Sequence, residues 1–468
     1  MSGGRRIRPE RRTRADLAAT GVIAVCVVAS VAGVWGLSDA RATHHEVAAE
    51  PVAAAPDPDS VPTSLTTVWR QRTRAPDLTT LEGTVVVTDG STVSGVAAAT
   101  GRTAWSYSRD VELCGVSGAW RRVVAVYRGE HGCGDVTSLD ARSGEYRHTR
   151  AAIADDAVAM VRSLDSVGTV SPNRVELWRS DLVRTVEVGR RETPVNSEPQ
   201  PGEDCVTDSA LTRKGLLAVA RDCPDTSGDG GSGTGDDAAS PRTARHVALM
   251  KTAPSSASEP QVDHDFTVPA GAQLVGIAED RAVIFVPGTG VPAKDAEDTT
   301  GSRFQVLAKD GSYTQYPAQP STSVPADGPP ATGPGGVFTP RTADMPHHMT
   351  WFDGTRVVAF DPATLRPDFT VDTIGTGAAM AGKLLLPVVN GIAVVDEGDG
   401  HTERIIPVDR EGYEGTVTLQ VRGSTVVEKR GDTVVGLTGG PGGVRGDGDA
   451  AGAGVDGRRE ARRHRRRP

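Results

Sequence analysis

From about residue 80 onward the chain alternates short apolar runs with turn residues. The runs are 5–7 residues long and rich in β-branched side chains, and Gly, Asp, Asn or Pro bounds each of them, which is the pattern of short strands. Examples are Gly83–Thr88, Arg122–Tyr127, Gly215–Ala220, Arg281–Val286, Arg356–Phe360, Lys383–Val389 and Thr416–Val421. After the first 40 residues no stretch keeps the apolar spacing of an amphipathic helix. The pattern predicts an all-β domain over residues 65–438.

A short turn recurs after several of these runs. Its four copies, each given with the side chain four residues after its last position, are Ala97–Gly101 with Trp105, Asp140–Gly144 with His148, Asp361–Leu365 with Phe369 and Asp396–Gly400 with Arg404. Copies one and two are 43 residues apart and copies three and four 35 apart, which fits four strands per propeller blade. Asp, Thr or Ser can cap such a turn, and Gly tolerates its left-handed corner. The residues predicted to shape these turns, with an aromatic side chain covering the joint between blades, are Thr100, Gly101, Trp105, Asp140, Gly144, Asp361, Thr364, Phe369, Asp396 and Gly400.

This turn resembles the PQQ-like β-propeller repeat, whose pattern is A-x-D-x-x-T-G-x-x-x-W. The first copy, from Gly95 to Trp105, keeps the spacing but lacks the Asp, and the third, from Ala359 to Phe369, keeps Ala, Asp and Thr. The other two copies are more degenerate. The layout is also similar to membrane-anchored, Ala/Val-rich propeller proteins of actinobacteria whose function is unknown. The resemblance implies a fold and carries little information about function.

The apolar runs fall into eight groups of strands. The groups span residues 83–110, 118–150, 157–190, 208–268, 273–317, 340–371, 377–408 and 415–438. The last group is one strand short, and Ser64–Arg72 could supply that strand and close the ring, which would leave no open sheet edge. We therefore predict an eight-bladed propeller, with seven blades as the alternative.

An uncharged run of 21 residues, Leu17–Leu37, precedes the β-rich region. As a helix it would be about 31 Å long, which matches the hydrocarbon core of a bilayer. Six Arg lie within residues 1–14, and a basic flank stays in the cytoplasm. The sequence thus predicts a cytoplasmic tail over 1–16, a transmembrane helix over 17–37, a disordered stalk over 38–64 and an extracytoplasmic domain. The alternative is a cleaved signal peptide with a site at Ala40–Ala42, but the run is longer than a signal peptide requires.

The net charge of −9 is unevenly distributed along the chain. The segment 458–468 carries seven Arg and ends a Gly-rich tail, 439–468, which is predicted to be disordered. Without this cluster and the N-terminal one, residues 15–457 contain 38 basic and 58 acidic side chains, a net charge of −20. An acidic body argues against nucleic acid as a partner, because phosphates would be repelled.

Four cysteines lie in the predicted extracytoplasmic domain: Cys114, Cys133, Cys205 and Cys223. An even number in that compartment favours disulfides. Of the three possible pairings, Cys114–Cys133 and Cys205–Cys223 are favoured, since each pair then brackets one β-rich run. Zinc is the alternative, but no C-x2-C or H-x3-H spacing accompanies these residues.

Motifs that would indicate an enzyme lack their structural context. Gly377–Lys383 fits a phosphate-binding loop, but Leu384 follows where a hydroxyl is needed. The acidic loop Asp225–Asp236 lacks the Glu that closes a calcium loop, and the adjacent His347 and His348 are a poor metal pair. We assign no catalytic, cofactor-binding or metal-ligating residue.

The sequence favours a non-enzymatic binding or scaffold protein of the cell envelope, without a cofactor. Its expected partners are the membrane and an envelope protein or wall polymer. The resemblance implies one alternative, a quinoprotein-type dehydrogenase, although the chain lacks adjacent cysteines and a recognisable set of calcium ligands. A wall-glycan-recognising module is a further alternative.

Overall fold

The fold was analysed in a computed structural model, which describes residues 13–36, 38–191, 199–224, 243–290, 294–295, 297–325 and 332–439. Its helices are α1 (Arg14–Gly36), α2 (Asp39–Ala42) and a single 3-10 turn at Pro334–Gly336. A reciprocal cap starts α1, because Thr13 Oγ1 accepts the Asp16 N–H at 3.2 Å and Asp16 Oδ2 accepts the Thr13 N–H at 2.8 Å. Within the described residues, α1 is the one helix long and apolar enough to cross a membrane. The predicted cytoplasmic tail lies mostly outside the described residues, as does Leu37.

In the part of the chain that the structure describes, eight antiparallel sheets form the propeller, seven of four strands and one of five, so the prediction of eight blades is confirmed. Blades 1 to 4 comprise β3 (Thr79–Leu81), β4 (Thr84–Asp89), β5 (Thr92–Ala97), β6 (Thr103–Ser108); β7 (Leu113–Ala119), β8 (Arg122–Gly129), β9 (Gly132–Asp140), β10 (Tyr146–Ala151); β11 (Ala159–Arg162), β12 (Val167–Ser171), β13 (Arg174–Trp178), β14 (Arg184–Gly189); β15 (Val206–Arg213), β16 (Leu216–Pro224), β17 (Thr243–Lys251) and β18 (Val262–Val268).

The second half of the ring repeats this arrangement. Blades 5 to 8 comprise β19 (Gln273–Ile277), β20 (Arg281–Val286), β21 (Arg303–Ala308), β22 (Tyr313–Pro317); β23 (Thr342–Asp344), β24 (Met349–Phe352), β25 (Arg356–Phe360), β26 (Pro367–Asp372); β27 (Ala378–Met380), β28 (Lys383–Val388), β29 (Gly391–Asp396), β30 (Thr402–Pro407); β31 (Val417–Arg422), β32 (Thr425–Arg430), β33 (Thr433–Gly439) and β2 (Leu65–Arg72).

The ring is closed by the N-terminal part of the domain, as predicted. Strand β2 pairs antiparallel with β33, from Leu65 opposite Gly439 to Arg72 opposite Thr433, and so becomes the outermost strand of blade 8. Residues from distant parts of the chain are thereby joined within one sheet. With β2 in place, β33 is no longer an edge strand and blade 8 has four strands like the other blades.

The four strands of each blade, from the innermost to the outermost, are called A to D. Because they alternate in direction, all B–C turns and D–A connections lie on one side of the ring, which we call the upper face. The A–B and C–D turns lie on the other side, the lower face. The turn at 130–131 belongs to the upper face and the turn at 82–83 to the lower face.

The core lies between neighbouring blades. Strand β8 is typical: Val123, Val124, Ala125, Val126 and Tyr127 are all fully buried, because the strand has a blade on either side. A group of aromatic rings fills the space between blades 5 and 6, with the ring of Phe304 5.1 Å from that of Phe360 and 6.0 Å from that of Trp351. Such edge-to-face pairs add to the burial of apolar area.

A segment predicted as a disordered stalk instead lies against the propeller; residues 44–62 are called the strap. The strap begins with β1 (His44–Glu46), which pairs with β6 as a fifth strand of blade 1. His44 is opposite Ser108 at the upper end of β6 and Glu46 is opposite Ser106, so the chain runs downward along the outer edge of blade 1. The composition of this segment is typical of disorder, but backbone groups of the propeller pair with β1 and accept the N–H groups of Ala48 and Val52.

Beyond β1 the strap crosses the lower face. The Ala48 N–H donates to Ser143 O at 2.9 Å, and the Val52 N–H donates to Arg142 O at 3.0 Å. The Val52 side chain is buried. Further along, Arg404 Nη2 in blade 7 donates to the carbonyl of Val61 at 3.1 Å. The strap therefore bridges several blades before it enters β2.

A second long connection, residues 332–339 between blades 5 and 6, is called the plug loop. It reaches across the upper face to blade 4, where the Phe338 N–H donates to Asp208 O at 2.7 Å. Val337 is fully buried and joins the apolar cluster around Ala159 and Val161 of blade 3. The plug loop therefore links blades on different sides of the ring at its upper face.

Candidate functional site

The repeat-turn residues lie on the lower face, and they connect each blade to its neighbour. Trp105 of blade 1 is fully buried, and its indole N–H donates to Ala141 O in the turn of blade 2 at 3.0 Å. The same ring lies over Gly144, where a Cβ would come within 2.5 Å of it. Gly144 has φ 72°, so its left-handed backbone and the contact both require glycine.

Two further aromatic side chains contact the turn of the next blade in the same way. Trp69 of β2 donates its indole N–H to Ala98 O at 2.7 Å and lies against Gly101. Phe369 of blade 6 lies against Gly400 of blade 7. The sequence pattern did not single out Trp69. Its position in the sequence could have identified it, since Trp69 lies 36 residues before Trp105, which is about the length of one blade.

The carboxylates of these turns cap backbone N–H groups. Asp140 Oδ1 accepts the N–H groups of Arg142 and Ser143 at 3.0 and 3.1 Å. Asp361 Oδ1 accepts from the Thr364 N–H at 2.7 Å and from its hydroxyl at 2.8 Å, and these two bonds lower the pKa of Asp361.

The remaining predicted turn residues behave similarly. Asp396 Oδ1 accepts the Gly398 N–H at 2.8 Å, and its other oxygen pairs with Lys383 at 2.7 Å. Thr100 lies in the first turn, where its Oγ1 is 3.4 Å from the Arg102 nitrogen. All ten residues thus lie in lower-face turns or in the aromatic positions that cover them.

A histidine beside the Phe369 contact provides a test of pH dependence. His348 is buried, its ring is 5.1 Å from that of Phe369, and its Nε2 is 3.7 Å from Asp368 Oδ2. Burial lowers the pKa of His348 and outweighs the opposing effect of Asp368. In the unfolded chain the imidazole of His348 binds a proton below about pH 6.5, whereas the buried imidazole does so only at a lower pH. The neutral His348 therefore contributes to stability above about pH 6.5, and this contribution is lost as pH falls through the pKa of the folded state.

We therefore expect the denaturant midpoint to fall between pH 7.5 and pH 5, and to fall less in His348→Gln. Exposed His401 is the matched control, and His401→Gln should keep the wild-type pH dependence. An unchanged pH dependence in His348→Gln would contradict this account.

The disulfides lie at the opposite side of the blades. Cys114 pairs with Cys133 and Cys205 with Cys223, with Cα–Cα distances of 5.9 and 4.2 Å. This is the favoured pairing. All four residues lie near strand ends at the upper face, so each bond ties a blade together where its connections are longest.

A cleft of about 590 Å³ opens on the upper face between blades 2 and 3. Its walls come from two B–C turns, from the connection between the two blades, from Arg190 and from the plug loop. The lining residues are Glu130, His131, Gly132, Ile153, Ala154, Asp155, Asp156, Ala157, Pro172, Asn173, Arg190 and Gly335. The sequence pattern does not reveal this cleft, because the residues that line it are far apart in the chain.

The cleft walls are held by polar contacts. Asp155 Oδ2 accepts the Asn173 side-chain amide at 3.0 Å, and its Oδ1 is 3.7 Å from Arg190. Arg128 at the rim bonds Glu112 and Asp156, each at 2.7 Å, and the bond to Glu112 raises the pKa of Arg128. These pairs leave a surface of alternating acidic and basic groups.

A buried ionic cluster lies beneath the cleft. Arg174 Nη2 pairs with Glu176 at 2.7 Å and its Nη1 pairs with Glu187 at 2.7 Å, with all three side chains at most 3% exposed. Trp178 Nε1 donates to Glu176 at 2.8 Å, and Arg150 of blade 2 reaches the same carboxylate at 2.6 Å. Buried carboxylates paired with several donors fix the relative positions of blades 2 and 3. In the sequence, this buried cluster could have been recognised from the alternating residues Arg174-x-Glu176-x-Trp178.

A PQQ-like family described as outer membrane protein assembly factor BamB matches residues 63–175. Together with the eight blades, this match supports a PQQ-like propeller repeat. No curated protein matches the chain.

Several solved structures resemble this propeller in architecture. BamB from Moraxella catarrhalis is 12% identical, with 80% of this chain and 99% of that one covered and a TM-score of 0.42. The quinohemoprotein alcohol dehydrogenase ADHIIG from Pseudomonas putida HK5 is 11% identical, with 84% and 78% covered and a TM-score of 0.45. Sqt1 from Saccharomyces cerevisiae is 8% identical, with 82% and 100% covered and a TM-score of 0.47. None of these similarities bears on function.

Proposed function

We propose that this protein is a membrane-anchored, extracytoplasmic propeller that binds a protein of the cell envelope through its upper face. Helix α1 would be the anchor, with the N-terminus in the cytoplasm and the propeller outside. The two disulfides support an oxidising compartment. Retention of the anchor, rather than its cleavage near Ala42, is part of the proposal.

The asymmetry between the two faces carries this proposal. The strap occupies part of the lower face, where the turns serve contacts between blades and, apart from residues 252–261 in blade 4, are short. The long connections that follow β14, β20 and β22 leave and re-enter the sheets at the upper face, where the cleft also lies. Loops presented by a rigid scaffold are where binding residues concentrate. The buried cluster of Arg174, Glu176 and Glu187 supplies that rigidity directly under the cleft.

The described residues of the upper face lack the features that would hold a quinone cofactor. Quinoprotein-type dehydrogenases use adjacent cysteines and a calcium ion, whereas the disulfides here join residues 19 and 18 positions apart. In the part of the chain that the structure describes, no group of three His, Cys, Asp or Glu side chains could hold a metal. Val337 and Phe338 of the plug loop are buried at the upper face. These observations support a binding role over a dehydrogenase.

Site-directed photo-crosslinking in intact cells tests the proposal. A photoreactive residue replaces exposed Asn173 in the cleft, and the control replaces exposed Lys309 in a lower-face turn of blade 5. We expect a discrete protein adduct from position 173 and none from position 309. An adduct that a muramidase shortens would instead indicate a wall polymer. No adduct at position 173, or equal adducts at both positions, would refute binding at the upper face.

A further inference from the structure

The connection between the helix α1 and the propeller is short and folded. After α1 ends at Gly36, the Ser38 hydroxyl donates to Trp35 O at 2.9 Å, and the Arg41 N–H donates to Ser38 O at 3.1 Å. The Arg41 guanidinium lies 5.8 Å from the centre of the Trp35 ring. The chain thus turns into α2 immediately instead of extending as a spacer.

The other end of this connection is fixed to blade 1. Besides the pairing of β1 with β6, His45 Nε2 bonds Gly144 O at 2.7 Å, and its ring packs edge-on against Tyr107 at 5.4 Å. The flexible stalk that the composition suggested would have allowed the propeller to move far from the membrane. The observed contacts bind the chain to the propeller from His44 onward.

The distance that this connection can span is small. Residues outside α2 extend by at most about 3.5 Å each and those within it by about 1.5 Å, so Gly36 and His44 are separated by about 22 Å at most. If α1 ends at the hydrocarbon boundary, the headgroup layer takes up about 5–7 Å of this distance. His44 is then within about 15 Å of the lipid surface, which is about the width of a four-stranded blade.

We propose that the outer edge of blade 1, at its upper end, contacts the headgroups of the membrane that holds α1. This inference depends on the anchored topology proposed above, but not on the partner of the upper face. Trp35, which is 62% exposed, and the exposed Arg41 have the chemistry of the interface, an amphipathic ring and a cation that can bind lipid phosphate. Blade 5, across the ring, is then the blade farthest from the lipid.

This arrangement places the cleft one to two blades from the bilayer. A partner that reaches the cleft would therefore be a membrane protein or a protein held at the membrane surface. Proteins that diffuse freely outside the membrane would approach the far side of the ring more easily.

Fluorescence quenching in nanodiscs tests the contact. The full-length protein carries a fluorescent amino acid at exposed Asp110 beside blade 1 or at exposed Tyr313 in blade 5, and the lipids carry a quencher on their headgroups. We expect severalfold stronger quenching at position 110 than at position 313. Equal quenching at the two positions would overturn the proposal.

A linker insertion provides a second test of the same contact. A flexible insertion of 20 Gly and Ser residues after Thr43 adds an average reach of about 25 Å and should reduce quenching at position 110 to the level at position 313. The same insertion after Gly439 is the control and should change nothing. If quenching at position 110 survives the insertion after Thr43, the short connection does not cause the contact. Failure of the protein to remain with the nanodiscs would refute the anchor, whereas the crosslinking result concerns only the cleft.

Discussion

Replacing Glu428 with Gln is expected to lower the free energy of unfolding by about 3–5 kcal/mol, because it leaves two buried guanidinium groups without their shared carboxylate. Glu428 is fully buried in blade 8. Its Oε1 accepts from Arg410 Nη2 at 2.8 Å, and its Oε2 accepts from Arg430 Nε at 2.7 Å. Arg410 comes from the connection between blades 7 and 8, so the carboxylate also joins two blades.

The chain offers a matched control in Glu411→Gln. Glu411 also bonds an arginine, Arg70, through both carboxylate oxygens, but the side chains are 57% and 43% exposed. Solvent-exposed pairs contribute little to stability, so this variant should unfold almost as the wild type does. Urea denaturation followed by tryptophan fluorescence measures both. Equal effects in the two variants would show that burial does not determine the contribution of Glu428.

Trp105→Ala is expected to cost about 3–5 kcal/mol of unfolding free energy, the range for removing a large aromatic side chain from a core. The substitution removes the hydrogen bond to Ala141 O and leaves a cavity between Gly95 and Gly144, against which the ring packs. Because that contact joins blades 1 and 2, the measured loss should appear in the global transition and not as local unfolding. Thermal unfolding by circular dichroism at 215–220 nm measures it.

A pair of glycine variants separates the ring contact from backbone strain. Gly144 and Gly90 both have positive φ, at 72° and 58°, but a Cβ on Gly90 meets no atom within 4 Å. Both variants therefore carry the left-handed penalty, and only Gly144→Ala adds overpacking against Trp105, which costs about 1–3 kcal/mol. Gly144→Ala should be the less stable of the two. The opposite order would contradict the proposed contact between Trp105 and the turn of blade 2.

The sequence was sufficient to predict the architecture because the relevant signals are local. Short apolar runs such as Arg122–Tyr127, each bounded by turn residues, mark the strands, and the recurring Asp and Gly turns mark four of the eight blades. Even the closing strand could be identified, since blade 8 was one strand short and Ser64–Arg72 had the right pattern. The disulfide pairing followed from the position of each cysteine around one β-rich run.

The cleft and the strap could not be predicted in this way, because both depend on contacts between distant residues. Asp155 and Asn173 meet only after blades 2 and 3 pack together, and Gly335 arrives from beyond blade 5. For the strap, the composition around Ala48 and Val52, rich in Ala, Pro, Asp and Glu and without periodicity, is typical of a disordered linker. Its order comes from backbone hydrogen bonds to Ser143 and Arg142, and no side-chain pattern encodes them.

The position of the strap determines how the propeller would respond to mechanical force. Tension transmitted from an anchored α1 reaches β1 first, and then the bonds of Ala48 and Val52, before it reaches β2. Detachment of residues 44–62 would release about 65 Å of chain, at about 3.5 Å per residue, before the strand that closes the ring is loaded. Detachment of the strap, a few hydrogen bonds at a time, can thus lengthen the connection between α1 and the propeller while the ring of eight blades remains closed.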